Sequence, residues 1–200
     1  MTAAEVPEPP RPDVLHVWRP AADVVEAARG AAAKAAFSYA EVGGTRATMP
    51  EGYAHDVQSA ILGEGDLVFE RARRAMRAGR MFDIPWVELE RSYLDFQPGS
   101  AVPFVSHQYG MYALNVCRIV YVIDEPGEFA FAWGTVAGHM VAGEERFGLR
   151  KLENGDVVFE IRKFSRPVHP LIRLATPLAL RAQRKFSHDA LAAMIAAVRP

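Results

Sequence analysis

The chain has 200 residues, half of them apolar, which suits a single domain able to bury roughly 70% of the surface that its unfolded form exposes. A formal net charge of −1 argues against a basic surface built for nucleic acid. The lone cysteine, Cys117, excludes an intramolecular disulfide and a thiolate metal cluster.

Residues 1–13, MTAAEVPEPPRPD, combine four prolines with charged residues and predict an extended, solvated tail ahead of one α+β domain spanning 14–200. They lack the basic start and apolar stretch of a secretory signal. No segment approaches the ~20 apolar residues of a membrane helix, so a cytoplasmic protein without stable membrane insertion is expected. An alanine-rich run predicts a helix over about 21–36, weakened at Gly30. Residues 39–52, with Gly43, Gly44, Pro50 and Gly52, read as an irregular connection into a strand over 53–62.

A second, amphipathic helix is predicted over about 66–82, with Leu67, Val68, Ala72, Ala75, Met76 and Gly79 on one face and arginines elsewhere. Strand-like segments follow at 86–95, 102–109, 112–123, 129–136, 141–152 and 157–164, joined by turn sequences such as Glu153-Asn154-Gly155-Asp156. No helical pattern intervenes, so the strands form antiparallel hairpins rather than parallel crossover units. A final helix is expected over 171–198, with Leu171, Leu174, Leu178, Ala182 and Phe186 on one stripe and a kink or break at Pro177.

Alternation assigns the faces. Phe129, Phe131, Trp133 and Thr135 share the buried face of one strand, and Val157, Phe159 and Ile161 that of another, leaving the sheet one wet side. On the strand between them Glu145 groups with Phe147 and Leu149 and points inward, whereas Glu144, Arg146 and Arg150 point to solvent. An inward carboxylate needs hydrogen bonds, a partner or a wet cavity, unless it sits at the rim and accepts from the preceding turn. His139 stands in that turn, where an imidazole can orient a base or meet a polar head group, or simply bond to backbone.

Further polar candidates for a cavity wall are Arg91, His107, Arg118 and Tyr121, beside the apolar wall residues Phe131, Trp133, Thr135, Phe147 and Phe159. Cys117 shares the face of Tyr121 by simple alternation and reads as a small core residue. Phosphate-cradling, dinucleotide, nucleophile-elbow and zinc patterns are all missing, so neither cofactor nor metal is expected.

Several ordered motifs remain: Tyr39-x-Glu41-Val42-Gly43-x-Thr45-Arg46, Leu114 to Pro126, Trp133-Gly134-Thr135-x-x-Gly138-His139, Gly143-Glu144-Glu145-Arg146-Phe147 and Phe164-Ser165-Arg166-Pro167-x-His169-Pro170. Over about residues 37–196 these closely resemble the family called domain of unknown function 1990, or UPF0548. Through it the chain resembles the helix-grip proteins, which include START lipid-transfer domains, plant pathogenesis-related allergens and polyketide cyclases. The resemblance implies a sheet of about six or seven antiparallel strands wrapped around a long C-terminal helix, with one or two helices near the N-terminus. It carries over no catalytic residue. The expected function is binding of a small apolar molecule, such as a lipid, polyketide or isoprenoid-like compound. The alternatives are a cyclase, hydratase or isomerase using His139 or Glu145, and a protein-interaction module. Two sheet edges leave room for a homodimer.

Overall fold

Long strands joined by tight turns leave the chain one way to bury its aromatic residues, which is to fold back on itself repeatedly as a single sheet. The computed structural model describes residues 15–168 and 176–199. The N-terminal tail, and Leu171, Leu174, His169 and Pro170, lie outside the described residues.

The elements are β1 (Leu15–His16), α1 (Ala22–Lys34), β2 (Ala54–Glu64), α2 (Gly65–Arg77), β3 (Val87–Glu88), β4 (Ala101–Gln108), β5 (Met111–Glu125), β6 (Glu128–Thr135), β7 (Val141–Lys151), β8 (Asp156–Pro167) and α3 (Thr176–Val198). The strands pair in the order β2-β8-β7-β6-β5-β4-β3, with β1 beside β5, and every pairing is antiparallel. The expected α+β architecture, an antiparallel sheet with a long C-terminal helix, is therefore present.

Three local expectations are corrected. Helix α2 stops at Arg77 rather than at 82, because Gly79 adopts φ 65° and its N–H returns to the Met76 carbonyl. Its buried face carries Phe69, Ala72, Ala75 and Met76, while Leu67 is 85% exposed. The stretch 86–95 forms only the two-residue β3 and a single 3₁₀ turn at Arg91–Tyr93, since Arg91 folds back to the Gly79 carbonyl and to Asp83. The described part of α3 begins at Thr176, so Pro177 occupies its first turn, where a missing N–H costs nothing; the expected kink or break between the 171–175 stretch and this helix lies outside the described residues.

The third correction concerns the wet face. Alternation holds on β6, but both of its faces are buried: Ala130, Ala132 and Val136 are as inaccessible as Phe129 and Phe131. Helix α1 packs small residues onto the outer face of β4 and β5, where Ala32 meets Ala101, Val116 and Val136. Residues 37–53 cover a further part of that outer face, where Tyr39 and Tyr53 pack on Phe164 of β8, while Val57 and Ile61 on β2 stay exposed.

A carboxylate fixes the second cover. Glu144 is 2% exposed and accepts hydrogen bonds from the Tyr39 hydroxyl at 2.8 Å, the Gly43 N–H at 2.7 Å, the Thr45 N–H at 3.0 Å and the Thr45 hydroxyl at 2.5 Å. Gly134 sits opposite Glu144 on β6, and a Cβ there would lie 2.1 Å from the Tyr39 hydroxyl oxygen. Arg146, also buried, bridges Glu128 at 2.6 Å and Glu160 at 3.3 Å, over the space left by Gly148. Glu144 and Arg146 are thus interior anchors rather than solvated residues.

The arginines of α2 act likewise as tethers. Arg73 and Arg77 both bind Asp124 at the end of β5, and Arg71 donates to the Val198 carbonyl at the end of α3.

Burial, followed by the negative charge of Glu144, pushes the Tyr39 phenol well above its ordinary value. The unfolded chain ionises this group near pH 10 while the folded chain keeps it neutral, so stability is complete below that pH and falls above it. Tyr39→Phe is expected to cost about 1.5–3 kcal/mol at neutral pH through the lost hydrogen bond to a charged acceptor. It should also flatten the decline in stability across about pH 9–11, and urea unfolding over that range checks both effects.

Candidate functional site

The inner face of the sheet carries two environments. Toward the turns after β5 and β7 it is packed solid: Phe82 lies against Phe147 and Trp133 at ring separations of 5.4 and 5.1 Å, and Phe96 against Phe129 and Phe131 at 5.7 and 5.2 Å. Toward the opposite end, between β4–β8 and the first turns of α3, the packing stops and leaves a cavity of about 420 Å³. This volume falls within the range of about 300–1,000 Å³ typical of small-molecule sites.

Aromatic plates form much of its wall. Phe104 stacks on Trp133 with centroids 5.3 Å apart and planes 9° apart, while Trp86 meets Phe186 edge-on at 6.2 Å. Leu178, Ala182 and Phe186, the inner stripe of α3, close the side opposite the sheet. Leu15, Tyr109 and Met111, all partly exposed, also line it.

Polar groups enter through one row of paired residues running across the strands, Trp133–Glu145–Lys163–Asp56. The Trp133 indole donates to Glu145 Oε2 at 3.1 Å, and Lys163 Nζ donates to Glu145 Oε1 at 3.3 Å. Lys163 also donates to the Gln183 carbonyl at 2.9 Å and to Ser187 Oγ at 2.7 Å, both on α3, and lies 3.5 Å from Asp56 Oδ2. Its side chain is 7% exposed and Ser187 is fully buried. A lysine so deep is tolerable only because four oxygens replace its hydration.

The residues anticipated from sequence separate into groups. Trp133, Thr135, His139 and Glu145 all line the cavity. Glu145 takes its partners from the neighbouring strands, not from the preceding turn. His139 is buried in the β6–β7 turn, and its Nδ1 accepts the Val141 N–H at 3.2 Å. Thr135 is tied to its neighbours, with its Oγ1 accepting the Gly143 N–H at 2.9 Å and lying 2.6 Å from Ser38 Oγ. Phe131, Phe147 and Phe159 are fully buried in the packed half of the core, outside the cavity lining.

Four others are displaced from the cavity. Arg91 braces the loop after α2 and borders a separate groove beside β3. His107 is exposed and stacks on Tyr112. Arg118 lies on the outer face, donating to the Ala35 carbonyl at 2.6 Å just past α1 and covering the Phe37 ring. Tyr121 is also on the outer face, bonded to Thr45 at 2.8 Å and covered by Arg46. A bulge between Ile119 and Tyr121 reverses the alternation, so Cys117 lines the cavity and Tyr121 does not share its face.

Sequence reasoning missed Lys163, Asp56 and Ser187. For Lys163 a signal existed, since it continues the inward alternation of Val157, Phe159 and Ile161. For Asp56 and Ser187 there was none, because their place depends on how β2 and α3 meet β8.

Among the described residues, no cluster of His, Cys, Asp and Glu has the arrangement of a metal site, and no helix is long and apolar enough to cross a membrane.

An antiparallel sheet gripping a long C-terminal helix, with a cavity held between them, defines a helix-grip protein. The chain belongs to the family described as Domain of unknown function (DUF1990), whose model matches residues 38–193. It is 36% identical over 160 residues to a UPF0548 protein of Deinococcus radiodurans, covering 74% of this chain and 80% of that one. A UPF0548 protein of Dictyostelium discoideum is 31% identical over 149 residues, covering 68% and 69%. Among solved structures, a hypothetical protein from Helicobacter pylori shares the fold with a TM-score of 0.52 at 13% identity, covering 82% of this chain and 96% of that one.

Removing the Lys163 ammonium leaves Glu145 and Asp56 in one low-dielectric pocket with no cation between them. Lys163→Ala is therefore expected to cost about 3–5 kcal/mol in urea unfolding. A loss below about 1 kcal/mol would mean that water already reaches and solvates the cluster.

Proposed function

We propose that this protein binds a small, mostly apolar molecule in the cavity between β4–β8 and α3. The observation that carries this reading is the abrupt end of aromatic packing at Phe82 and Trp133. Beyond it the same sheet face and helix stay apart and leave about 420 Å³ lined by Phe104, Met111, Trp133, Leu178 and Phe186. Empty apolar volume is unfavourable, since cavities lower stability by about 24 cal/mol per Å³, and an apolar ligand offsets that cost by restoring the missing contacts. A lipid, polyketide or isoprenoid-like body suits such a wall.

The polar row at Glu145 gives the site a charged, directional element beside a largely apolar wall, the usual arrangement for fixing a ligand's orientation.

Native mass spectrometry of protein purified without detergent is expected to show a discrete added mass that denaturing extraction releases. Ala182→Trp places an indole into the cavity from α3 and should abolish that mass while leaving the thermal transition within a few degrees of wild type. A folded Ala182→Trp protein that retains the same added mass would contradict binding at this site.

A further inference from the structure

Resting on the cavity-binding reading above, we propose that the cavity selects ligands whose head group donates a hydrogen bond, a hydroxyl or an amine seated on Glu145, and rejects anionic heads. The polar cluster is itself net negative: one ammonium, Lys163, stands among two carboxylates, Glu145 and Asp56, giving +1 − 2 = −1. Among the described residues lining the cavity, Lys163 is the single lysine or arginine.

The donors nearest Glu145 are already engaged. An ammonium has three protons, and Lys163 faces four protein oxygens: the Gln183 carbonyl, Ser187 Oγ, Glu145 Oε1 and Asp56 Oδ2. The single N–H of the Trp133 indole goes to Glu145 Oε2. The Ser187 hydroxyl reaches Asp56 at 3.3 Å.

The unused capacity is on the acceptor side. A carboxylate offers about four lone-pair sites, and Lys163 and Trp133 take one on each Glu145 oxygen. A hydroxyl or ammonium arriving along the aromatic wall therefore completes the site. A carboxylate or phosphate would instead bring a second negative charge against Glu145, where the low dielectric magnifies the repulsion and the adjacent Lys163 and Trp133 donors are already engaged.

The test compares decanol, decylamine and decanoate, which share a tail and differ in the head. Binding is measured near neutral pH by calorimetry, and the Trp133 indole N–H resonance, assigned with Trp133→Phe, reports contact at Glu145. Decanol and decylamine are expected to bind about tenfold or more tightly than decanoate and to shift that resonance. In Glu145→Gln, which keeps the acceptor oxygen and removes the charge, the advantage of decylamine over decanoate should shrink by about tenfold. Decanoate binding as tightly as decanol, or a Trp133 resonance unmoved by bound decanol, would overturn the head-group assignment and leave the cavity reading standing. Failure of all three probes to bind protein that native mass spectrometry shows to be empty would overturn both.

Discussion

A single buried ammonium joins the two halves of this molecule. Lys163 projects from the middle of the sheet and holds α3 through the Gln183 carbonyl and Ser187, while the carboxylates of Glu145 and Asp56 flank it on either side. Hydrophobic burial alone is non-directional and would draw the helix down until its side chains met the sheet. A polar contact of fixed length cannot be compressed that way. It sets the separation of helix and sheet at one level, and Leu178, Ala182 and Phe186, which come before or beside it on α3, remain free to line a space rather than fill one.

The division of the interior follows from this. Below the Lys163 level the segment 79–96 folds under α3, and Met81, Phe82 and Phe96 drive into the sheet, so that Phe129, Phe131, Phe147 and Phe159 are completely enclosed. Above it no such segment enters among the described residues, and the cavity remains. The outer face of the sheet is secured independently by Glu144, whose four donors from residues 39–45 hold an irregular stretch where a regular element might otherwise be needed. Adjacent residues thus serve opposite faces: Glu144 anchors the outer cover and Glu145 points into the cavity. The Trp-Gly-Thr and Gly-Glu-Glu-Arg-Phe motifs combine both jobs, with Trp133 and Glu145 inside and Gly134, Glu144 and Arg146 outside.

Period-two alternation made much of the fold legible before any coordinates. It placed Phe129, Phe131, Trp133 and Glu145 on one face because nothing interrupts β6 and β7 between these positions. It failed on β5, where the bulge before Tyr121 inverts the faces without a glycine or proline to mark it. It also misjudged Glu144 and Arg146, since their charge suggested water while their actual surroundings are a hydroxyl and backbone cradle and two glutamates contributed by residues 14 or more positions away. Lys163 was readable by parity but not by meaning: a buried lysine becomes sensible only once Asp56 and Ser187 arrive from β2 and α3. Arg91 was misplaced because a short apolar alternation at 87–93 imitates a strand, although the chain there turns back toward Gly79.

The central claim is that the space beside Glu145 holds a molecule. The most direct measurement is a high-resolution crystal structure of protein purified without detergent or added ligand. Continuous non-protein density running between α3 and Phe104, with one end within hydrogen-bonding distance of Glu145, is the predicted result. Phe186 and Leu178 collapsed onto Phe104 and Trp133, or a cavity filled only by hydrogen-bonded water, would contradict it.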